Sequence, residues 1–376
     1  MSTHAGTLLI ALALLCAPLV LSDFRLSLLG RFLAYAIVAL GIDLIWGYTG
    51  ILSLGHAVYF GLGAYCTAMF LKLEAAKGQL PDFMSWSGLT ALPAWWKPFG
   101  SAWFALPASI LLPMILAAAL GYLTFRNRIK GVFFSILSQA LSVITVTLFI
   151  GQQAFTGGTN GLTDFQTIFG HDINAPATQK AFYFATVFAL VLCFLGCRAL
   201  VSGRMGKILV AIRDGENRVR FAGYDPVAFK VFVYALSAGL AGLAGTLFVL
   251  QVGIVSPSQM GIVPSIEMVL WVALGGRGTL VGAVLGAVLV NALSNALSES
   301  YPDIWSYFLG LSFVVVVLFL PRGLTGWLSA AAAKTKRWPR AVGDSNIAST
   351  NASTNATAST STSTSTSTSV VENSVV

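Results

Sequence analysis

The run "VFVYALSAGLAGLAGTLFVL", residues 231–250, contains twenty consecutive residues and no charged side chain. A helix of that length crosses the hydrocarbon core of a bilayer. The composition of the 376-residue chain agrees, because 56% of it is hydrophobic, only 10% is charged and the mean hydropathy is +0.80. These values exclude an ordinary soluble domain and predict an all-α polytopic membrane protein, a bundle of about 8–10 transmembrane helices.

Further apolar runs lie on both sides of this one. The first, "TLLIALALLCAPLVLS", is interpreted as a retained span, with a cleaved signal peptide as the alternative. Near the other end, "GGRG" interrupts an apolar stretch, so a broken or re-entrant helix is predicted between 263 and 297. The predicted spans are 7–22, 28–46, 50–71, 102–125, 131–150, 181–200, 229–251, the broken pair 263–275 and 279–297, and 304–320.

The distribution of Lys and Arg predicts the orientation of the chain. Of these 22 residues, 15 lie in 126–130, 198–230 and the segment after Leu320. Cations concentrate on the cytoplasmic side of membrane proteins, so these segments and both termini are predicted to be cytoplasmic. The Trp-rich segment "KGQLPDFMSWSGLTALPAWWKPFGSAW" is then outside, where its indole rings favour the membrane surface.

Composition also divides the chain into parts. The transmembrane domain is predicted to cover 1–327, with a long cytoplasmic loop over 201–228. A basic cytoplasmic segment follows at 328–343. The last part, 344–376, is Ser/Thr-rich and of low complexity, which predicts a disordered tail.

The cytoplasmic loop holds an unusual stretch, "ILVAIRDGENRVRFAGYDP", residues 208–226, which we call the charged island. Five charged residues fall between Arg213 and Arg220. The pattern predicts a short amphipathic helix that ends at Gly223 and Pro226 and docks into a groove of a soluble partner. The alternative is a solvated loop that is basic only because cytoplasmic loops are basic.

The segment "SGRMGKILVAIRDGENRVRFAGYDPVAFKVFVYALSAGLAGLAGTLF" resembles the coupling-helix region of permeases of the branched-chain amino-acid and urea ABC transporter family. The stretch "SIEMVLWVALGGRGTLVGAVLGA" resembles the family's C-terminal signature, and the likeness extends from about Phe24 to Trp327. Several details are closer to the urea branch and its second, C-type, permease subunit. They are "WGY" at 46–48, "SLGH" at 53–56, the "LPDFM…WWKPF" loop and the Arg of "GGRGTL".

The resemblance implies one permease subunit of an ATP-driven urea importer in the bacterial inner membrane. Its implied partners are a homologous second permease, two cytoplasmic ATPase subunits and an extracytoplasmic solute-binding protein. The alternatives are a permease for branched-chain amino acids or another small amide, or an autonomous channel or secondary transporter. The implied ATPase-coupling residues are Arg213, Asp214, Glu216, Arg218, Arg220 and Gly223.

No catalytic constellation is visible in the sequence. "RMGKIL" lacks the upstream Gly and the Ser/Thr of a phosphate-binding loop, so no cofactor is predicted and ATP is assigned to the partner subunits. No metal-ligand spacing is present, and the cations between spans do not predict a nucleic-acid site. The four cysteines, Cys16, Cys66, Cys193 and Cys197, are interpreted as small apolar fillers.

Polar and aromatic residues within or near apolar runs are candidates for the solute pathway, because a buried polar group needs a partner in lipid. A urea-like solute needs oxygen acceptors, a donor and a flat apolar wall. The candidates of these types are Trp46, Tyr48, His56, Asn160, Glu267 and Trp271.

Each of these polar residues also has a structural interpretation. Three interpretations of Glu267 are open: an acceptor for the solute, an ion-pair partner of Arg277, or a cap for the first turn of its helix. His56 is a proton-sensitive gate or a satisfied packing group, and Asn160 receives solute or adopts a left-handed turn. Asp43 is assigned a structural role. The glycines in "SAGLAGLAG" and "GGRGTLVGAVLGA" predict close helix packing, with pathway breaks as the alternative.

Overall fold

The computed structural model of the chain describes residues 14, 17–129 and 131–301, together with positions 307, 310, 311, 323 and 326. All of them belong to the compact unit Met1–Ala330. The predicted segments 328–343 and 344–376 lie outside the described residues, as do more than half of the predicted span 7–22 and most of the span 304–320.

The described part of the chain is mainly helical, with very little sheet, which confirms the predicted all-α membrane class. Four two-residue strands form two small antiparallel ladders, Leu162–Thr163 with Ile254–Val255 and Thr167–Ile168 with His171–Asp172. Short 3-10 helices cover Lys97–Gly100, Gly158–Asn160 and Pro257–Met260. The α-helices are α1 Asp23–Thr49, α2 His56–Ala75, α3 Asp82–Trp86, α4 Ala102–Arg126, α5 Val132–Gly151, α6 Gln153–Thr156, α7 Pro176–Ser202, α8 Arg204–Phe221, α9 Pro226–Val252, α10 Ile262–Gly275 and α11 Leu280–Ser300.

Within the described residues, six helices are long and apolar enough to cross a membrane: α1, α4, α5, α7, α9 and α11. The predicted spans 102–125, 131–150 and 229–251 match α4, α5 and α9 within three residues. The range of 8–10 spans also counted 7–22 and 304–320, most of whose residues are not described, and 50–71. The last corresponds to α2, which begins later than predicted and is not among the six.

Two short non-helical segments between consecutive apolar helices are called the first and the second break. The first break, 50–55, lies between α1 and α2, and Gly50 ends α1 in the left-handed region (φ +75°). The second break, 276–279, lies between α10 and α11, which confirms the predicted broken pair. There Gly278 has φ +78°, which a residue with a side chain adopts only at a cost.

Helices α1 and α9 form the centre of the bundle. Helix α9 packs against α4, α2 and α1, and the apolar parts of α1 and α9 are mostly buried. A Cβ on Gly63 of α2 would collide with the carbonyl of Gly242 in α9, and one on Gly286 with that of Trp271. The close-packing interpretation of these glycines is therefore confirmed. Helices α5 and α7 lie at the periphery, and their outer apolar faces are exposed, as expected for lipid contact.

Polar side chains inside this bundle pair across helices, as they must where no water is available. The Tyr59 and Tyr234 hydroxyls lie 2.7 Å apart between α2 and α9. Further along the same helices, Thr67 donates to Thr246 (2.9 Å), which in turn contacts Ser109 of α4 (2.8 Å). These contacts join α2, α9 and α4 at two levels.

The described residues of the predicted cytoplasmic segments 126–130 and 198–230 lie at one end of the bundle, and the long predicted outside loops lie at the other. At the island end, one cavity of 360 Å³ is lined by residues of 49–51, 125–134, 212–216 and 230. At the opposite, loop end, a cavity of 250 Å³ is lined by residues of 72–87 and 153–164. The described loops therefore alternate between the two ends of the bundle in the order that the sequence predicts. This agreement does not depend on which end faces the cytoplasm.

Candidate functional site

Most of the charged island folds into α8, so the predicted helix is confirmed. The backbone leaves helical geometry at Gly215 (φ −172°, ψ 77°), which kinks α8 in the middle of the island. The helix ends at Phe221, and Gly223 follows with φ +85°. Pro226 does not belong to this end. It is the first residue of α9, where proline is favoured, and Asp225 caps that helix by accepting the Val227 N–H (3.0 Å).

Three of the six implied coupling residues point into the bundle. Arg213 Nη1 donates to the Gly47 carbonyl oxygen (2.8 Å), one of the carbonyls that the end of α1 leaves without an intrahelical partner. Glu216 accepts from the buried Lys230 of α9 (2.8 Å) and from Arg220 (3.0 Å). These contacts fix α8 to the end of α1 and to the beginning of α9.

The remaining three, Asp214, Arg218 and Gly223, are exposed, as is part of the Arg213 side chain. Asp214 pairs with the neighbouring Arg213 (2.9 Å) and, with Arg218, lines an open and mainly apolar groove of 420 Å³ along the outer face of α8. Phe221 is 91% exposed at the end of this helix, whereas Val219, two residues earlier, is buried. The apolar residues of the island therefore face two directions.

The second break is held by side chains from α1. Asp43 Oδ1 accepts the Gly278 N–H (2.6 Å), and the Tyr48 hydroxyl donates to the Gly278 carbonyl oxygen (3.0 Å). The Arg277 guanidinium lies over the Trp46 ring, 5.3 Å from its centroid. Three of the details that resemble the urea branch, Trp46, Tyr48 and Arg277, thus meet at one place.

Further along the same pair of helices, Trp271 of α10 packs against Tyr35 of α1, with ring centroids 4.8 Å apart. Glu267, one turn before Trp271, is half-buried. It is the sixth residue of α10, so the first-turn capping interpretation is wrong. It also forms no ion pair with Arg277 within the described residues, because Arg277 lies at the other end of α10. Tyr35, which the sequence analysis missed, also stacks on Phe248 (5.5 Å).

His56 is fully buried at the beginning of α2. Its Nε2 lies 2.9 Å from the Ser237 hydroxyl, and its ring packs edge-on against Tyr59 and Tyr234. This environment supports the packing interpretation, although Nδ1 has no hydrogen-bond partner in the part of the chain that the structure describes.

Asn160 is exposed at the loop end, in the 3-10 helix Gly158–Asn160. The predicted left-handed conformation is wrong for this residue, because the flanking Gly158 and Gly161 adopt positive φ instead. Asn160 lines the 250 Å³ cavity with Lys72, Asp82 and Asp164, so it borders a polar opening.

The six pathway candidates therefore occupy separate places. Trp46 and Tyr48 lie at the second break. Trp271 lies in α10, one turn after Glu267, and faces Tyr35. Tyr35 is eleven residues, about 16 Å, from Trp46 toward the beginning of α1. His56 is enclosed between α2 and α9, and Asn160 lies at the loop end. The structure does not bring the six together in one solute site.

The family described as "Branched-chain amino acid transport system / permease component" matches residues 24–320, most of the chain. The chain belongs to this family. The permease is 24% identical over 340 residues to the high-affinity branched-chain amino acid transport system permease protein LivM of Escherichia coli K12, covering 84% of this chain and 74% of that protein. No solved structure matches it.

Two other relatives have similar coverage. LivH of E. coli K12 is 23% identical over 309 residues, covering 78% of the permease and 91% of LivH. BraD of Pseudomonas aeruginosa is 20% identical over 304 residues, with the same coverage of both chains. Both relatives are named high-affinity branched-chain amino acid transport system permease proteins.

The described residues contain no group of three or more His, Cys, Asp or Glu side chains placed to hold a metal ion. Cys66, Cys193 and Cys197 are buried and free, in agreement with their interpretation as apolar fillers. Family membership and the apolar helices together make the permease a multi-pass membrane protein.

Proposed function

We propose that the chain is one membrane subunit of an ATP-driven importer in the bacterial inner membrane, with α8 as its contact to a cytoplasmic ATPase subunit. The observation that carries the proposal is the division of α8 into two faces. Arg213 and Glu216 fix one face to α1 and α9. The other face presents an apolar groove and an exposed Phe221 beside exposed charges.

An exposed aromatic residue beside an apolar groove is a feature of protein interfaces. In this proposal Asp214, Arg218 and Phe221 touch the ATPase subunit, whereas Arg213, Glu216 and Arg220 hold the helix in place. Family membership supports the other partners: a second homologous permease, a second ATPase subunit and an extracytoplasmic solute-binding protein.

Charge reversal tests the docking face. Arg218→Glu should reduce the amount of ATPase subunit that co-purifies with the membrane complex. Lys97→Glu, an equal reversal at an exposed site at the loop end, should leave that amount unchanged. If Lys97→Glu rather than Arg218→Glu released the ATPase subunit, the island end would face away from the cytoplasm and the proposal would be wrong.

For the solute, we propose urea. The residues that resemble the urea branch are scattered in the sequence, yet Trp46, Tyr48 and Arg277 form one contact region at the second break. Their convergence supports the view that they act as a unit. A second candidate, branched-chain amino acids, is favoured by the names of the relatives LivM, LivH and BraD.

Uptake distinguishes the two solutes. In cells that lack this chain but keep the ATPase subunits, uptake of labelled urea should fall and return when the chain is restored. Labelled leucine is the parallel probe. Loss of leucine uptake with urea uptake unchanged would replace urea by branched-chain amino acids as the solute.

A further inference from the structure

The structure places the contact of α8 and the second break on the same short segment of α1. The Gly47 carbonyl oxygen accepts from Arg213 of α8. The Gly47 Cα faces Gly278, since a Cβ there would lie only 2.6 Å from the Gly278 nitrogen. Gly47 is thus touched from one side by the island helix and from the other by the second break.

Gly278 is held through both of its backbone groups. Its N–H donates to Asp43 and its carbonyl oxygen accepts from Tyr48, so α1 engages both polar groups of one residue. We call this arrangement the Gly278 joint. Because both bonds originate from α1, a rotation or shift of that end of α1 would act directly on both polar groups of Gly278.

The residue types at the Gly278 joint indicate a role beyond pairing the backbone groups of Gly278. Asp43 is fully buried, and its second oxygen, Oδ2, has no hydrogen-bond partner among the described residues. A buried carboxylate inside a membrane helix is expensive and is expected at functional positions. A hydroxyl would satisfy one N–H at a lower cost.

We propose that Asp43 and Tyr48 are the positioning residues through which movement of α8 reaches the broken helix α10–α11. This inference rests on the proposed function of α8. The path runs from Arg213 to the end of α1, through Asp43 and Tyr48 to Gly278, and along α10 to Trp271. The polar steps are direct contacts of 2.8 Å, 2.6 Å and 3.0 Å. From Gly278 the backbone itself leads back into α10, where the Trp271 ring contacts Tyr35 of α1 (4.8 Å between centroids).

The test measures coupling in the full complex, reconstituted in liposomes with its ATPase subunits and binding protein. Two quantities are needed: ATP hydrolysis, and accumulation of labelled urea or leucine, whichever the wild-type complex accumulates. Asp43→Ala removes the acceptor, and solute transported per ATP should fall about tenfold, while ATP hydrolysis continues. Asp43→Asn keeps an acceptor oxygen for the Gly278 N–H, so transport per ATP should stay within about twofold of wild type.

Tyr48→Phe keeps the ring and removes only the hydroxyl that donates to Gly278. It should lower transport per ATP by about threefold, and it decides the question if Asp43→Ala is not recovered from the membrane. A merely structural role would lower the amount of complex, hydrolysis and transport together. Unchanged transport per ATP in Tyr48→Phe and Asp43→Ala, or equal losses in Asp43→Asn and Asp43→Ala, would overturn the proposal.

The two proposals fail in different ways. If α8 does not contact the ATPase subunit, Arg218→Glu leaves co-purification intact. If only the joint is wrong, Arg218→Glu releases the ATPase subunit, and the Asp43 and Tyr48 variants couple normally.

Discussion

The two helix breaks of the permease solve the same problem with different side chains. In the first break, 50–55, Ser138 accepts the Leu54 N–H (2.9 Å) and Ser135 donates to the Leu52 carbonyl oxygen (2.8 Å), both from α5. In the second break, 276–279, a carboxylate and a tyrosine from α1 engage Gly278. Both breaks leave backbone groups without an intrahelical partner, and in both these groups pair with side chains of another helix.

The difference is one of chemistry and of connection. Neutral hydroxyls satisfy the first break at little cost, and they come from a peripheral helix. The second break uses a buried carboxyl group from the central helix α1, whose end also binds Arg213. Arg213 lies close to both breaks, so the two breaks differ mainly in the chemistry of their partners: a carboxyl group that is costly to bury against two neutral hydroxyls.

The largest effect is expected from a variant that detaches α8 from the bundle. Arg213 of α8 lies beside both breaks, because it binds Gly47 and packs against Gly50. Glu216→Lys places a cation against the buried Lys230, and breaking such a pair costs about 3–5 kcal/mol. Uptake should be abolished while membrane insertion, measured by the amount of chain in the membrane fraction, stays normal. Combining Glu216→Lys with Lys230→Glu should restore part of the uptake. Uptake at the wild-type rate in the single variant would contradict the anchoring role of Glu216.

The next prediction tests whether a strained backbone lowers uptake more at the second break than elsewhere in the chain. Gly278→Val and Gly253→Val both put a β-branched residue at positive φ (+78° and +72°), at a cost of about 1–2 kcal/mol each. Neither Cβ would meet an atom closer than 3.8 Å. The two variants should lose similar thermal stability, but only Gly278→Val should lose uptake. Equal uptake in both would show that the second break is not special.

The smallest effect is expected at the first break. The double variant Ser135→Ala, Ser138→Ala removes two bonds from α5, and hydrogen bonds between membrane helices are worth about 0.6 kcal/mol each. The melting temperature of the purified complex should fall slightly, and uptake should remain near the wild-type rate. A loss of uptake as severe as that of Gly278→Val would erase the distinction between the two breaks.

Much of the fold could be predicted because hydropathy and charge are local signals. The run at 229–251 and the interruption at "GGRG" were placed within a few residues, and both helices of the broken pair formed as predicted. The beginning of α2 was placed too early, because no hydropathy signal marks the point where a glycine-rich apolar run unwinds. Asn160 was assigned a conformation that its glycine neighbours take instead.

The candidate site was less predictable. The six residues with an implied coupling role came from one continuous segment, and only the structure divided them into an inward group with Glu216 and an outward group with Arg218. Lys230 and Gly278 were missed as partners. Lys230 appears in the sequence only as a single cation at the edge of an apolar run, and Gly278 only as one of the glycines of "GGRG".

The sequence by itself determined which segments enter the membrane, how the loops alternate and where the charges concentrate, because a bilayer imposes its requirements along the chain, residue by residue. The tertiary structure alone decided that Asp43 meets Gly278, 235 positions away, and that Glu216 faces Lys230. Such contacts depend on the rotation and packing of whole helices, which no local pattern specifies.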